Sequence, residues 1–294
     1  MSPDIAGAFA HMNQLTDMEF KQLREYIEKS CGIALGDEKA YLVENRLVGL
    51  LAQAGCATFA DLYHKAVNNP GLGLRDKIVD AMTTNETSWF RDLYPFDIME
   101  RVIFRKFADE IAAGKRQRIR IWCAACSTGQ EPYSLAMTLH EFCRKNSPAP
   151  LSCTEIVSTD ISPTVLFLAI AGRYDQIAMS RGMPQDIKDR YFANSGRVWV
   201  LSDKVRKMST FKKLNLQDDF SSLGRFDVIF CRNVMIYFSD SFKRRLFARF
   251  AALLNPGAYF FLGASESATS YSDKFTMIND NKHIYYQYAG EGRP

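Results

Sequence analysis

Between Thr16 and Met82, apolar side chains recur at helical spacing. Phe20, Leu23 and Ile27 share one face, as do Leu42, Val43, Leu47, Leu50 and Leu51. Start and stop signals flank these runs. Thr16-Asp17-Met18-Glu19 is a capping box, in which the threonine hydroxyl and the glutamate carboxylate satisfy free backbone N–H groups. The Cys31-Gly32 step breaks the first helix, and a second spans Asp37 to Gln53, closed by Gly55. Thr58 to Asp61, with aspartate in place of the usual glutamate, opens a shorter one through Ala66. After the turn Asn69-Pro70-Gly71, a further helix carries Ile78, Val79 and Met82. Pro95 marks the entry to another from about Phe96 to Ala113, with Ile98, Val102, Ile103 and Phe107 inward.

From Arg118 the pattern changes to strands alternating with helices, which argues for a mainly parallel sheet. Arg120 to Cys123 is a short apolar run, followed by small residues and a proline-started helix, Glu131 to Lys145. Glu155 to Asp160 is strand-like and precedes a helix from about Pro163 to Ala171. Between Gly172 and Leu216 the regularity lapses. Arg197 to Leu201 and Met208 to Phe211 read as short strands around polar turns, which suggests an inserted antiparallel piece. Phe226 to Phe230 is then a buried strand, Ser241 to Leu254 an amphipathic helix, and Pro256-Gly257 a turn into Ala258 to Leu262. His283 to Tyr288 can return antiparallel to that strand.

Composition adds bounds rather than identity. The chain has 294 residues, 47% hydrophobic and 24% charged, enough apolar material for a packed core. No stretch approaches the roughly 20 apolar residues of a membrane span, and Met1 to Asn13 lacks the pattern of a signal peptide. A cytoplasmic protein is expected. Seven scattered cysteines then read as reduced thiols, and the Asn85-Glu86-Thr87 sequon carries no consequence. A formal charge of +4, spread along the chain, does not suggest nucleic-acid binding.

In an open α/β sheet, ligands bind beyond the C-terminal ends of the strands. The first such end is Cys123-Ala124-Ala125-Cys126-Ser127-Thr128-Gly129-Gln130-Glu131-Pro132, whose small residues permit close backbone approach and whose proline suits a first helical turn. It has one glycine where a dinucleotide fingerprint has three. The second end is Asp160, placed to accept hydrogen bonds from ribose hydroxyls or to cap a turn. Asn215-Leu216 is the third, and Arg232 to Phe238 the fourth.

Three blocks together carry a resemblance that spacing alone does not. They are Thr83 to Asp92, Ala124 to Ser134, and Phe230-Cys231-Arg232-Asn233-Val234-Met235-Ile236-Tyr237-Phe238. With Leu254 to Gly257 and Gly263 to Ser267 they resemble the chemoreceptor glutamate methyltransferases, the CheR family, over nearly the whole chain. The resemblance implies an N-terminal all-helical domain followed by a Rossmann-like, S-adenosylmethionine-dependent methyltransferase domain with a small inserted antiparallel β-subdomain. The expected boundaries are 1–94 for the helical domain, 95–117 for a linker helix, and 118–294 for the methyltransferase domain, with the insertion at about 173–212.

By motif, the resemblance implies that Asn85, Thr87 and Arg91 reach the cofactor, that Glu131 meets its methionine amino group and that Asp160 meets its ribose. Asn215 and Leu216 would meet adenine, and Arg232 and Asn233 would complete the pocket. Arg91 and Tyr237 are the expected catalytic residues, Arg91 orienting the acceptor and Tyr237 lining the transfer mouth. Two departures stand out: Gln130 precedes Glu131 where the family often has two acidic residues, and Trp89 stands where it often has phenylalanine. The product would be S-adenosylhomocysteine. The partner implied is the cytoplasmic helical region of chemoreceptors, with a receptor C-terminal peptide adding a strand to the inserted sheet. Lys39 and Arg46, seven apart on one helix, either face those acidic helices or form a solvated surface.

Rival readings are weaker. Cys123 and Cys126 form a Cys-x-x-Cys pair, but no second pair completes a zinc site and no metal is expected. A nucleic-acid methyltransferase would want an Asn/Asp-Pro-Pro-aromatic turn where Arg232 to Met235 stands, and a basic groove. A cofactor-binding regulatory module without turnover is the remaining alternative.

Overall fold

The computed structural model describes residues 14–146 and 148–290, and the reading of Met1 to Asn13 lies outside them. The chain divides into two compact units. One comprises residues up to Thr84 together with Tyr237–Ser239, and the other comprises Asn85–Ile236 with the residues from Asp240 onward.

The first unit is built from helices α1 (Asp17–Cys31), α2 (Ala40–Ala54), α3 (Phe59–Asn68) and α4 (Leu74–Met82). Both capping boxes form, Thr16 with Glu19 and Thr58 with Asp61. Leu23, Ile27, Val43, Leu47, Leu62 and Ile78 are fully buried between the helices. Arg46 does not present its charge outward. Its guanidinium donates to the carbonyls of Met82 and Thr83 at 2.6 and 3.1 Å and to the Thr84 hydroxyl at 3.0 Å, closing the end of α4. Within the same unit Ile33 bridges Phe238.

The second unit carries a seven-stranded sheet in the order β6-β2-β1-β7-β8-β10-β9. Its strands are β1 (Ile119–Ala124), β2 (Thr154–Asp160), β6 (Ser209–Lys213), β7 (Phe226–Phe230), β8 (Leu254–Phe261), β9 (Phe275–Asp280) and β10 (His283–Tyr288). The first five are parallel, and β10 runs antiparallel to β8 and to β9. Helices Gln130–Lys145 (α5), Pro163–Ala171 (α6) and Asp240–Ala252 (α7) accompany the sheet. Trp122 packs edge-on against Phe220 and Phe250 at 5.1 and 5.3 Å, and its indole N–H donates to the Thr159 hydroxyl at 2.9 Å. Strand order reverses across β1 and β7, so the topological switch point falls between them.

A separate antiparallel sheet, ordered β3-β5-β4, is formed by Arg173–Asp175 (β3), Phe192–Ser195 (β4) and Val198–Leu201 (β5). The strand expected at Met208 to Phe211 is not part of this insertion. Ser209–Lys213 is the parallel edge strand of the main sheet, in register with Ile156 to Asp160 and tied to it by a 2.7 Å hydroxyl contact between Ser158 and Ser209. An edge strand is half solvated, so its polar alternation mimics an antiparallel hairpin. The second unit also claims residues 85–94, because Trp89 is buried against Tyr174 and Phe192 at 4.8 and 5.4 Å.

Candidate functional site

Three segments of the second unit converge at the C-terminal ends of β1, β2 and β7. They are the strap from Asn85 to Leu93, the β1–α5 loop, and the turn after β7. Among the described residues eight non-glycine positions have positive φ, and six of them lie here: Phe90, Asp92, Leu93, Ala125, Ser127 and Asn233. L-residues adopt that region at a cost of about 1–3 kcal/mol each, and such strain gathers where surrounding bonds enforce it. The sequence gives no sign of this concentration, because these are not glycines.

Arg232 supplies the enforcing bonds. Its side chain is 1% exposed, and it donates to the Glu131 carboxylate at 2.8 Å, to Asp92 at 2.7 Å and to the Arg91 carbonyl at 2.8 Å. One guanidinium thus fastens the strap to the first turn of α5. Its Nε, also buried, has no hydrogen-bond partner among the described residues. Burial opposes the charge of Arg232, but Glu131 and Asp92 more than restore it, so the group stays cationic. Glu131 fares differently. Burial pushes its carboxyl above the ordinary range, and Arg232 only partly pulls it back. Its Oε1 takes no hydrogen bond from any described residue.

The β1–α5 loop is shaped by Ala125, Ser127 and Gly129, with φ of 59°, 50° and 91°. A Cβ at Gly129 would stand 3.0 Å from the Ala169 side chain and 3.2 Å from the Tyr174 hydroxyl, so the position suits glycine both by conformation and by space. Asp160, at the end of β2, accepts the Ser127 amide at 2.8 Å and the Ser162 amide at 3.0 Å, which fixes its carboxylate beside this loop. The Ser127 hydroxyl donates to the Asn85 carbonyl at 2.8 Å, and Ser134 accepts the Phe90 amide at 3.1 Å.

Asn215 and Leu216 are both buried just after β6. The Asn215 side chain accepts the Gln217 amide at 3.0 Å, and Arg249 donates to the Leu216 carbonyl at 2.8 Å. Asn233, in the left-handed region, donates its amide to Glu266 at 2.7 Å. The same carboxylate accepts Gly263 at 2.7 Å and Ile236 at 3.3 Å. Thr87 and Arg91 are half-buried on the strap, and the Arg91 guanidinium donates to the Glu86 carbonyl at 3.3 Å.

The structure therefore bonds Glu131, Arg91 and Arg232 in one set and links Asp160 to Asn85 through Ser127 in another, and places Asn215, Leu216 and Asn233 at neighbouring strand ends. Tyr237 belongs with the helical unit, its carbonyl accepting the Ala34 amide at 2.8 Å. Asp92, Ser127, Ser134 and Glu266 are parts of the machinery that sequence reasoning missed. Each lies in a block that carried the resemblance, Asp92 in Thr83 to Asp92, Ser127 and Ser134 in Ala124 to Ser134, and Glu266 in Gly263 to Ser267, but no role was read for any of them. Cys123 and Cys126 are free, fully enclosed thiols whose burial pushes them well above the usual range.

The arrangement can be tested against a cationic, ribose-bearing ligand. A half-buried carboxylate that, among the described residues, shares its one bonded cation with a second acid is under-neutralised, and a ligand ammonium would complete its charge. The donor set fits S-adenosylmethionine on that ground.

Comparison with known proteins gives the same answer. Residues 18–83 match the all-alpha domain of the CheR methyltransferases, and residues 85–284 match their SAM-binding domain. The chain is 43% identical to chemotaxis protein methyltransferase Cher2 of Pseudomonas putida, covering 92% of this chain and 98% of that one. It is 44% identical to chemotaxis protein methyltransferase 1 of Pseudomonas aeruginosa, covering 92% and 97%. A chemotaxis protein methyltransferase of Vibrio parahaemolyticus is also 44% identical, over 93% and 98%. With a family match spanning both units and such relatives along nearly its full length, the chain belongs to the CheR family of S-adenosylmethionine-dependent chemotaxis methyltransferases.

Proposed function

We propose that this protein esterifies glutamate side chains of chemoreceptors in the cytoplasm, releasing S-adenosylhomocysteine. The observation that carries the reading is Glu131, half-buried, incompletely neutralised and pinned by Arg232 at the switch point of the sheet. In this reading Glu131 holds the methionine ammonium, Asp160 the ribose hydroxyls, and Asn215 with Leu216 the adenine. Asn85, Thr87 and Asn233 close the pocket. S-adenosylmethionine supplies a methyl group already activated by its sulfonium.

The acceptor needs little activation. A surface glutamate has a reference pKa of about 4.3, so its carboxylate is a nucleophile at neutral pH and no general base is required. The protein's task is to align oxygen, methyl carbon and sulfur, and to exclude water. Arg91 positions the acceptor. A tight bidentate pair would favour the ground state, where the oxygen carries more charge than in the transition state. A receptor C-terminal peptide adds a strand to an edge of the inserted sheet, β3 or β4, raising the local concentration of methylation sites.

Incubation with methyl-labelled S-adenosylmethionine and receptor-bearing membranes tests the reading. Base-labile label on receptor protein is the expected result. Label on nucleic acid, or none with cofactor bound, would favour a different enzyme or a non-catalytic module.

A further inference from the structure

A side chain of the inserted sheet bonds the β1–α5 loop. Tyr174, in the middle of β3 and paired with Trp199 of β5, is 4% exposed, and its hydroxyl donates to the Thr128 carbonyl at 2.8 Å. The same oxygen lies beside Gly129, where an added Cβ would come within 3.2 Å of it. The ring is held from two sides, by Trp89 at 4.8 Å and by Phe192 at 6.3 Å, both edge-on. Trp89 in turn donates its amide to the Arg181 carbonyl at 2.9 Å, and Arg181 pairs with Glu86 at 2.7 Å. A side chain at Gly182 would collide with the Trp89 carbonyl. One aromatic cluster therefore ties the strap, the inserted sheet and the β1–α5 loop together.

We propose that Tyr174 is a positioning residue of the inserted sheet, which sets the cofactor loop through the Thr128 carbonyl. Thr128 lies between Ser127, whose amide binds Asp160, and Gly129, which opens the helix bearing Glu131. Anchoring its carbonyl fixes the peptide plane on which both left-handed residues turn, and so the distance between the ribose and ammonium sites. The ring cannot swing away without leaving Trp89 and Phe192. Burial keeps the hydroxyl protonated well beyond the ordinary tyrosine range, so it donates at every working pH. The insertion is then part of the cofactor site as well as a platform for docking. This inference rests on the reading that the loop holds S-adenosylmethionine.

The test is Tyr174→Phe in the full chain, which removes one hydroxyl and keeps the ring, with Tyr191→Phe as its control. Tyr191 also lies in the inserted segment with a buried hydroxyl, but bonds Glu141 at 2.6 Å, apart from the cofactor loop. S-adenosylhomocysteine affinity is measured by calorimetry and by the ligand-induced rise in melting temperature, which reads affinity even in a weakened fold. Tyr174→Phe is expected to weaken binding about five- to tenfold. KM for S-adenosylmethionine should rise to match, with kcat at saturation near wild type. Tyr191→Phe is expected to lower the melting temperature and leave affinity unchanged. Wild-type affinity in Tyr174→Phe overturns the proposal, and so does an equal loss in Tyr191→Phe. Absence of binding in the wild type would instead sink the cofactor reading.

Discussion

Two ionic clusters cap opposite ends of the same strands, and they are built on different terms. At the N-terminal ends of β1 and β7, Asp227 accepts Arg116 at 2.7 Å, Asn255 at 3.0 Å and the Arg120 amide at 2.8 Å. Arg120 goes on to Glu155 and to the carbonyls of Leu223 and Arg225. That cluster closes on itself. At the C-terminal ends, among the described residues, Arg232 leaves a buried N–H unpartnered, Glu131 leaves an oxygen open, and the backbone around them is left-handed at non-glycine residues. A cluster that only stabilises saturates its bonding capacity, whereas one that binds keeps some in reserve.

The comparison can be broken at several points. Arg232→Ala leaves the half-buried Glu131 and the exposed Asp92 without their cation, a loss of about 1–3 kcal/mol in the fold. S-adenosylhomocysteine binding should fall on the order of 100-fold or more, because the strap is released from α5. Calorimetry beside a thermal melt reads both, and wild-type binding would remove Arg232 from the site. Asp160→Ala should weaken binding by about 1–3 kcal/mol, whereas Asp227→Asn should cost a similar amount of stability and leave affinity unchanged within about twofold. A loss of affinity in Asp227→Asn would mean that the two ends are not independent.

The smallest effect concerns protons. The Glu131 carboxyl is raised above its ordinary 4.5, so the native state protonates it first as pH falls. Its cost to stability is therefore present above the raised value and relieved below it. Affinity for a cationic ligand runs the other way, weakening as pH falls through a value above 4.5. Glu131→Gln should flatten that dependence and weaken binding by roughly 1–2 kcal/mol at neutral pH.

What the sequence disclosed follows the range of the forces involved. Capping at Thr16 and Thr58 involves partners three residues away, so it was legible in full. Strands β1 and β7, buried over nearly their whole length, read directly as apolar runs, and β2, with Ile156 and Val157 at its middle, as strand-like. The edges did not. The strand expected at Met208 to Phe211 suggested the inserted sheet but lies in the main one as Ser209–Lys213, and Phe275–Asp280, with Thr276 and Met277 exposed, left no apolar signature. The strand-end rule placed Glu131, Asp160 and Asn233 in one region. The grip of Arg232 on residues 140 and 101 positions away was beyond reach, as was the role of Glu266, which binds backbone amides that sequence does not distinguish.

Strand order also bears on how such a chain is made. β1 lies inside the sheet, yet one neighbour, β7, does not begin until Phe226. During synthesis the apolar segment Ile121-Trp122-Cys123 therefore waits about a hundred residues for that partner, the inserted sheet included, with an unpaired edge exposed. Fragments ending before Phe226 should accumulate as aggregates rather than as a half-sized enzyme.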